Sequence, residues 1–184
     1  MGDVTEKILH SDTIFQGKVL NLRIDTVELP DGSIGKREII EHAEAVIVVP
    51  VTREGKLLLV KQYRCAVGRN TMELPAGNID PGEAIEAAAR RELQEETGYK
   101  AGEMTRLFSV HSTPGICTEV LHVFFASDLS RVEQNLDEGE FIEVYAVDWE
   151  KAIEMVWSGV ISDAVSVAGI LAVDSIMKKQ RSKG

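Results

Sequence analysis

Apolar and polar residues alternate along two stretches near the N-terminus, on either side of a turn sequence. The turn is Pro30-Asp31-Gly32-Ser33, and the flanking runs cover about residues 14–29 and 34–42. Period-two alternation around a Pro/Gly turn is typical of an antiparallel hairpin whose strands each bury one face. The pattern therefore predicts an N-terminal antiparallel β arm.

Residues 45–64 are more uniformly apolar than the arm. Val and Leu run almost without interruption on both sides of Arg53-Glu54-Gly55-Lys56, which has the composition of a turn. Strands that are buried on both faces lose the polar alternation. This segment therefore predicts a second strand pair, placed centrally in a sheet.

Strand and helix patterns alternate along the remainder of the chain. A loop rich in Pro and Gly leads into helix-forming residues from Glu83 to Thr97, and Gly98 supplies a C-terminal stop. Strand-like runs follow at 104–110, 120–127 and 141–149. Two helices, at 149–157 and 163–177, close the chain. The second carries an apolar stripe at helical spacing, formed by Ile161, Val165, Ala168, Ala172 and Ile176.

Composition limits the number of domains and the kinds of partner. At 184 residues and 44% hydrophobic content, the chain fits one domain, residues 44–184, with an appended arm, residues 1–43. A formal net charge of -10 excludes nucleic acid as an expected partner, because nucleic-acid binding relies on clustered Lys and Arg. A phosphate ligand would then need a cation between itself and the protein.

Cysteine placement and the length of apolar runs indicate a cytoplasmic protein. Cys65 and Cys117 form no C-x-x-C pair, and residues 1–10 lack the apolar segment of a signal peptide. The longest apolar run, residues 165–173, is shorter than the roughly 20 residues that span a bilayer. We therefore expect reduced thiols and no membrane partner.

Glu92, Glu95 and Glu96 are the first candidates for chemistry. At i, i+3 and i+4 of a helix they share one face, where like charges repel. A divalent cation would remove that repulsion, and clustered carboxylate oxygens suit hard cations such as Mg²⁺. Ala88 and Ala84, one and two turns back, would leave this face open to a ligand. A solvated acidic helix face is the alternative interpretation of the triad alone.

The acidic triad lies within a longer motif. Gly77 is followed by Glu83 and then by Arg91-Glu92-Leu93-x-Glu95-Glu96-x-Gly98-Tyr99. This segment resembles the signature of the Nudix hydrolases at every specified position, although Tyr99 stands where an aliphatic residue is more usual. The resemblance implies an α/β (α+β) fold, an α/β/α sandwich with a mixed sheet. It also implies hydrolysis of a nucleoside diphosphate linked to another group.

The resemblance further implies roles for residues on this helix and beside it. The implied ligands of Mg²⁺, or of Mn²⁺ in its place, are Glu92, Glu95, Glu96 and the backbone carbonyl of Ala76. Arg91 would orient a glutamate, with a surface salt bridge as its alternative role. Glu83 falls on the opposite side of a continuous helix, so we expect it to cap the first turn or to pair with Arg91.

A second motif points to one branch of the family. Pro114 lies sixteen residues past Gly98, and Thr113-Pro114-Gly115 followed by Glu119 resembles a loop of the ADP-ribose pyrophosphatase branch. The resemblance implies that Pro114 and Gly115 contact the substrate and that Glu119, on a mobile loop, is the general base. Two alternatives stay open: Glu119 is an ordinary residue at a strand start, or a helix glutamate such as Glu95 is the base.

Two arginines outside these motifs are candidates for substrate binding. By resemblance to the same branch, Arg64 would contact a phosphate or the terminal ribose, and Arg37 would stack on or hydrogen-bond the adenine. The alternatives are a surface residue at a strand end for Arg64 and a solvated edge charge for Arg37. The branch also uses an arm like residues 1–43 to form a homodimer, in which each subunit contributes to its partner's adenosine pocket.

Together these resemblances imply Mg²⁺-dependent hydrolysis of ADP-ribose to AMP and ribose 5-phosphate, with Arg91, Glu95 and Glu119 as catalytic residues. The alternatives are a pyrophosphatase for another nucleoside diphosphate sugar and a Nudix-fold module that senses ADP-ribose-like ligands without turnover. Such modules typically lose signature glutamates, and this chain keeps them all. A structural Ca²⁺-binding protein is disfavoured, because the sequence has no EF-hand loop.

Overall fold

The computed structural model describes residues 3–181, which fall into two compact units. The first unit contains the chain up to Glu44 together with His111–Val120. The second contains Ala45–Val110 together with the chain from Leu121 onward. The segment that carries the predicted Pro114 loop therefore belongs to the same unit as the arm.

A three-stranded antiparallel sheet forms the first unit. Its strands are β1 (Lys7–Gln16), β2 (Leu20–Glu28) and β3 (Ile34–His42), in the order β1-β2-β3. The predicted hairpin is confirmed as β2 and β3, whose turn contains Gly32 at φ 83°, a conformation that favours glycine. Sequence periodicity misses β1, because every residue of this strand is exposed and its polarity does not alternate cleanly.

The second unit contains a four-stranded sheet and a three-stranded sheet. Its strands are β4 (Ala45–Pro50), β5 (Lys56–Arg64), β6 (Arg69–Glu73), β7 (Ala76–Asn78), β8 (Tyr99–His111), β9 (Val120–Arg131) and β10 (Glu143–Asp148). The larger sheet has the order β7-β4-β9-β8 and is mixed, since β4 runs antiparallel to β7 and parallel to β9. The smaller sheet has the order β10-β5-β6 and is antiparallel.

The prediction for residues 45–64 is correct in position and wrong in pairing. Both strands are central, β4 between β7 and β9 and β5 between β10 and β6. Across the predicted turn, Val51 and Leu57 form an isolated bridge instead of a hairpin ladder. Because β4 and β5 are apolar on both faces, each takes the centre of its own sheet.

Within residues 3–181, three helices complete the second unit: α1 (Ile85–Thr97), α2 (Trp149–Trp157) and α3 (Ala164–Arg181). Val46 and Val48 of β4 lie in one buried cluster with α1, while Ile47 and Val49 lie in another with α2 and α3. Because successive strand residues point to opposite faces, helices cover both sides of the mixed sheet. The predicted α/β/α sandwich is confirmed for this unit. No helix in this part of the chain combines the length and apolar character that a bilayer crossing needs.

The predicted apolar stripe is confirmed only in part: Ile161 is buried but precedes α3, and the buried face of the helix itself differs from the stripe. The buried side chains are Ser166, Ile170 and Val173. Ile176, at the end of the predicted stripe, is 42% exposed. Residues 165–173 are apolar on almost every side, so periodicity does not single out one face. Ser166 helps to fix the rotation of the helix, because its hydroxyl oxygen accepts the Leu74 N–H at 2.8 Å.

Candidate active site

The motif from residue 77 to residue 99 folds as the end of β7, a turn and helix α1. β7 pairs with the central strand β4, so the sheet fixes the backbone of Ala76 and Gly77. α1 ends at Gly98, whose φ of 70° lies in the left-handed region, so the predicted helix and its stop are confirmed. Ala88 does not leave the carboxylate face open, because it is buried in the contact between helix and sheet.

Arg91 is the centre of a hydrogen-bond network on α1. Its guanidinium donates to Glu83 at 3.0 and 2.9 Å, to Glu92 Oε1 at 2.7 Å and to Glu95 Oε2 at 3.0 Å. It also donates to the Asn78 carbonyl at 2.9 Å. These acceptors, Glu83 first, raise the pKa of Arg91 above its usual range. The expected pairing of Glu83 with Arg91 is confirmed, and Arg91 also holds two of the signature glutamates.

Glu96 is a buried carboxylate, and Glu92 on the same helix face is partly buried. Glu96 is 4% exposed, and its Oε2 accepts the Ala76 N–H at 2.9 Å. Burial raises the pKa of Glu96 to about 8, and the negative charges of Glu92 and Glu140 add to that increase. Burial also raises the pKa of Glu92. A Cβ at Gly77 would overlap the Glu92 carboxylate, so this position needs glycine for the observed arrangement.

Each signature glutamate binds the protein through one oxygen. Glu92 Oε1 and Glu95 Oε2 accept from Arg91, and Glu96 Oε2 accepts from Ala76. Within residues 3–181 no donor reaches the second oxygen of any of the three, and no three acidic, histidine or cysteine side chains already stand as a metal-ligand set. The three carboxylates still fit a hard divalent cation. Such a cation prefers carboxylate oxygens without another partner, and its positive charge would relieve the repulsion among the glutamates.

Arg64, the predicted contact for phosphate or ribose, lies beside buried acidic groups of the second unit. Its Nε and Nη2 donate to the Glu73 carboxylate at 3.1 and 2.6 Å. Burial pushes the pKa of Glu73 upward, but hydrogen bonds from Arg64 and Thr71 lower that pKa overall. Arg64 also interacts electrostatically with Glu96 and Asp163. This interaction connects Arg64 to the carboxylates of α1.

Sequence reasoning missed Glu73 and Asp163. Asp163 precedes α3, where its Oδ1 accepts the Ser166 N–H at 2.8 Å. Its Oδ2 is buried and, among the residues the structure describes, has no hydrogen-bond partner; burial raises the pKa of this carboxyl. An Asp directly before a helical run is a capping signal that could have identified Asp163. The contact between Glu73 and Arg64 depends on how β5 and β6 pair, which local sequence does not reveal.

Arg37 lies on β3 in the first unit and is engaged by a neighbouring carboxylate. Its Nε donates to Glu6 Oε2 at 2.9 Å, and its Nη2 donates to Glu6 Oε1. The hydrogen bonds to Glu6 raise the pKa of Arg37. The expected contact of this arginine with adenine stays a prediction.

The loop predicted to carry the general base lies along β3. The Ile40 N–H donates to Ile116 O at 2.7 Å, and the Thr118 N–H donates to Ile40 O at 3.0 Å. In this structure the loop is hydrogen-bonded to β3, and its expected mobility stays a prediction. Glu119, at its end, has Oε1 3.3 Å from His42 Nδ1, a contact that sequence reasoning also missed.

The predicted site residues thus fall into two groups. The second unit holds Arg64, Ala76, Arg91, Glu92, Glu95 and Glu96, which hydrogen bonds and electrostatic contacts connect. The first unit holds Arg37, Pro114, Gly115 and Glu119. The roles expected for these residues stay predictions.

Known proteins resemble this chain over nearly its whole length. Residues 41–165 match the sequence model of the NUDIX domain, and residues 6–40 match that of the nucleoside diphosphate sugar hydrolase N-terminal domain. The chain is 44% identical to an ADP-ribose pyrophosphatase of Bacillus subtilis (strain 168), a match covering 92% of the chain and 93% of that protein. It is 38% identical to a methanol dehydrogenase activator of Bacillus methanolicus, with 90% of each covered.

A solved structure has the same fold. The crystal structure of an ADP compounds hydrolase superposes with a TM-score of 0.86, at 24% identity and with 95% of both chains covered. The fold, the complete motif around α1 and the match of residues 41–165 agree with one another. The chain therefore belongs to the Nudix hydrolase family.

Proposed function

We propose that this Nudix hydrolase cleaves the diphosphate of ADP-ribose, releasing AMP and ribose 5-phosphate. The network on α1 carries the proposal, since Arg91 and the Ala76 amide hold the three signature glutamates in place. Similarity over 92% of the chain to a protein named ADP-ribose pyrophosphatase supports this substrate. The match of residues 6–40 to a nucleoside diphosphate sugar hydrolase domain supports the substrate class.

Nudix hydrolases use divalent metal ions, and for this chain we propose Mg²⁺, with Mn²⁺ as a substitute. The ligands would be Glu92, Glu95, Glu96 and the Ala76 carbonyl. The bound ion would supply positive charge at the diphosphate and Lewis acidity. A cation is needed because the protein, at a formal net charge of -10, and its substrate are both negative.

Side chains of the second unit would hold the ligands and the diphosphate. Arg91 keeps Glu92 and Glu95 in position through its hydrogen bonds. Arg64 donates to Glu73 through Nε and Nη2. Its Nη1 would then donate to a substrate phosphate or to the terminal ribose.

The predicted residues of the first unit would act on the attacking water and on the substrate. Glu119 accepts the proton of the water that attacks phosphorus, as a general base. Pro114 and Gly115 contact the substrate, and Arg37 contacts the adenine. Should Glu119 not be the base, Glu95 takes that role.

The first prediction concerns the products. Purified protein incubated with ADP-ribose and Mg²⁺ should release AMP and ribose 5-phosphate in equal amounts, because one hydrolysed diphosphate yields one of each. Chromatography with mass detection checks the products, and EDTA should stop the reaction. Hexose-linked nucleoside diphosphates should be tested in the same way. If they are cleaved while ADP-ribose releases no AMP, the substrate is a different nucleoside diphosphate sugar. Tight binding in calorimetry with no product over hours would favour a sensing module.

The second prediction is that Glu96→Gln removes most activity and stabilises the metal-free protein. Activity should fall at least about 100-fold, since a ligand is lost. The pKa of Glu96 is raised by folding to about 8, so the folded state binds this proton more tightly and stability falls as pH rises toward 8. The Glu96→Gln variant does not lose stability in this way as pH rises. In EDTA at pH 8 its free energy of unfolding should therefore exceed that of the wild type by about 1–3 kcal/mol.

Thermal unfolding at pH 5 and pH 8 measures this difference, which should shrink at pH 5, where the folded carboxyl is protonated. Glu86→Gln is the matched control, because Glu86 is an exposed glutamate of the same helix that pairs with Arg90. The control should keep its activity. Near-normal turnover by the Glu96 variant would refute the metal assignment.

The third prediction is that Glu119→Gln lowers kcat by about 10²–10⁴-fold with little change in KM, because an amide cannot accept the proton. Steady-state kinetics of AMP release measure both constants. Glu103→Gln, at an exposed position of β8, is the control. An unchanged kcat would return the base role to Glu95.

We propose that the arm forms a homodimer with a second copy of the chain. Its exposed apolar side chains from β1 to β3, which we call the arm patch, are Ile8, Leu9, Ile14, Phe15, Val19 and Ile34. Each of these side chains is between 47% and 64% exposed, and a second copy would cover them. The match of residues 6–40 to a separate N-terminal domain family supports a dedicated role for the arm.

The fourth prediction is that the protein elutes at about twice its chain mass of 20.2 kDa in light-scattering chromatography. Ile14→Asp should shift the protein toward the monomer, because a charge buried in the interface opposes association. The variant should also have a raised KM. Ile176→Asp changes an equally apolar residue of α3 that is 42% exposed, and should leave the dimer intact. A wild-type monomer, or a dimer indifferent to Ile14→Asp, would contradict the proposal.

The cytoplasmic location stays a prediction. Cys65 and Cys117 are free cysteines in the structure.

A further inference from the structure

His42 ends β3 and lies against the carboxylate that we assign as the base. Its Nδ1 is 3.3 Å from Glu119 Oε1, and the two side chains are 18% and 21% exposed. The same Nδ1 is 2.9 Å from the Ala43 carbonyl oxygen. The imidazole therefore presents one nitrogen to two oxygen atoms.

The Ala43 contact fixes the proton on this nitrogen. A carbonyl oxygen can only accept a hydrogen bond, so Nδ1 must be the donor and carries the hydrogen. Glu119 Oε1 lies 3.3 Å from the same nitrogen, in an electrostatic contact and not in a hydrogen bond. Because Nδ1 stays protonated in the neutral ring, its N–H keeps a partial positive charge beside the Glu119 carboxylate. The other oxygen of Glu119 can still take a proton.

The backbone holds the two residues in this arrangement. The His42 N–H donates to Thr118 Oγ1 at 3.1 Å, and the Thr118 hydroxyl donates to His42 O at 3.3 Å. The Thr118 N–H also donates to Ile40 O. Thr118 directly precedes Glu119, so these bonds fix the chain on which the carboxylate is carried.

We propose that His42 is a positioning residue, whose Nδ1–H attracts the Glu119 carboxylate and so favours the orientation in which it accepts a proton from the attacking water. The inference rests on the proposed function, in which Glu119 is the general base. In this step the proton moves from water to Glu119, and His42 keeps its own hydrogen throughout. A carboxylate without that contact rotates among its side-chain conformers and spends less time in the productive one.

The test compares two amide replacements with alanine. The Asn amide nitrogen occupies about the place of Nδ1, whereas the longer Gln places its amide near Nε2. His42→Ala and His42→Gln should lower kcat by about 10–100-fold with KM nearly unchanged, while His42→Asn should restore most of kcat. A structural role alone would not separate Asn from Gln in kcat. Thermal unfolding of the three variants shows whether each is folded.

A double-mutant cycle identifies the group through which His42 acts. In the Glu119→Gln background, His42→Ala should cause no further loss of kcat. His10→Ala is the matched control, because it removes another histidine–carboxylate contact of the first unit, that of His10 Nε2 at 2.9 Å from Asp12 Oδ1. The control should leave kcat unchanged.

The outcomes separate this inference from the proposed function. If Glu119→Gln lowers kcat but His42→Ala and His42→Gln do not, or if their losses add fully to that of Glu119→Gln, the positioning role of His42 is refuted and Glu119 remains the base. If Glu119→Gln keeps the wild-type kcat, both the base role and the inference fall, while ADP-ribose hydrolysis stands or falls on its products.

Discussion

The site on α1 depends on one constraint: several carboxylates must lie at the edge of the core without driving one another apart. Arg91 reduces much of this repulsion, because it donates to Glu83, Glu92 and Glu95 at once. These charge-assisted hydrogen bonds are stronger than neutral ones. Glu96 lies deeper and has the Ala76 amide as its donor, so burial still opposes its charge and raises its pKa. The single guanidinium of Arg91 thus does not neutralise all of these carboxylates. The remaining negative charge could attract a divalent cation.

The mixed sheet converts this constraint into fixed positions. Alternate residues of β4 face α1 on one side and α2 with α3 on the other, so a slip of one residue would exchange the two buried faces. β7 pairs with β4 so that Gly77 lies opposite Val46 and Ala76 lies opposite Ile47. The same register places the Ala76 amide at Glu96 and a residue without a Cβ beside Glu92. The packing of the core therefore determines where the donors of the site stand.

Local sequence predicts the features of this chain whose partners are close in sequence. The β2–β3 hairpin, the end of α1 at Gly98 and the pairing of Glu83 with Arg91 all follow from strand and helix spacing. Periodicity fails where a segment is apolar on every side: it gives neither the buried face of α3 nor the separate sheets of β4 and β5. The contact of His42 with Glu119 joins residues far apart in sequence, so it exists only once the loop lies along β3.

A cation bound at this site would have to share the glutamates with Arg91, because the guanidinium stays protonated and keeps its hydrogen bonds to them. Its carboxylate partners hold its pKa above the usual range, so its positive charge would persist beside a bound metal ion. Sharing is feasible because Arg91 bonds Oε1 of Glu92 and Oε2 of Glu95, one oxygen of each. Lysine would carry the same charge but lacks the planar fork of donors that reaches several acceptors and the Asn78 carbonyl together. Geometry as well as charge therefore requires arginine at this position.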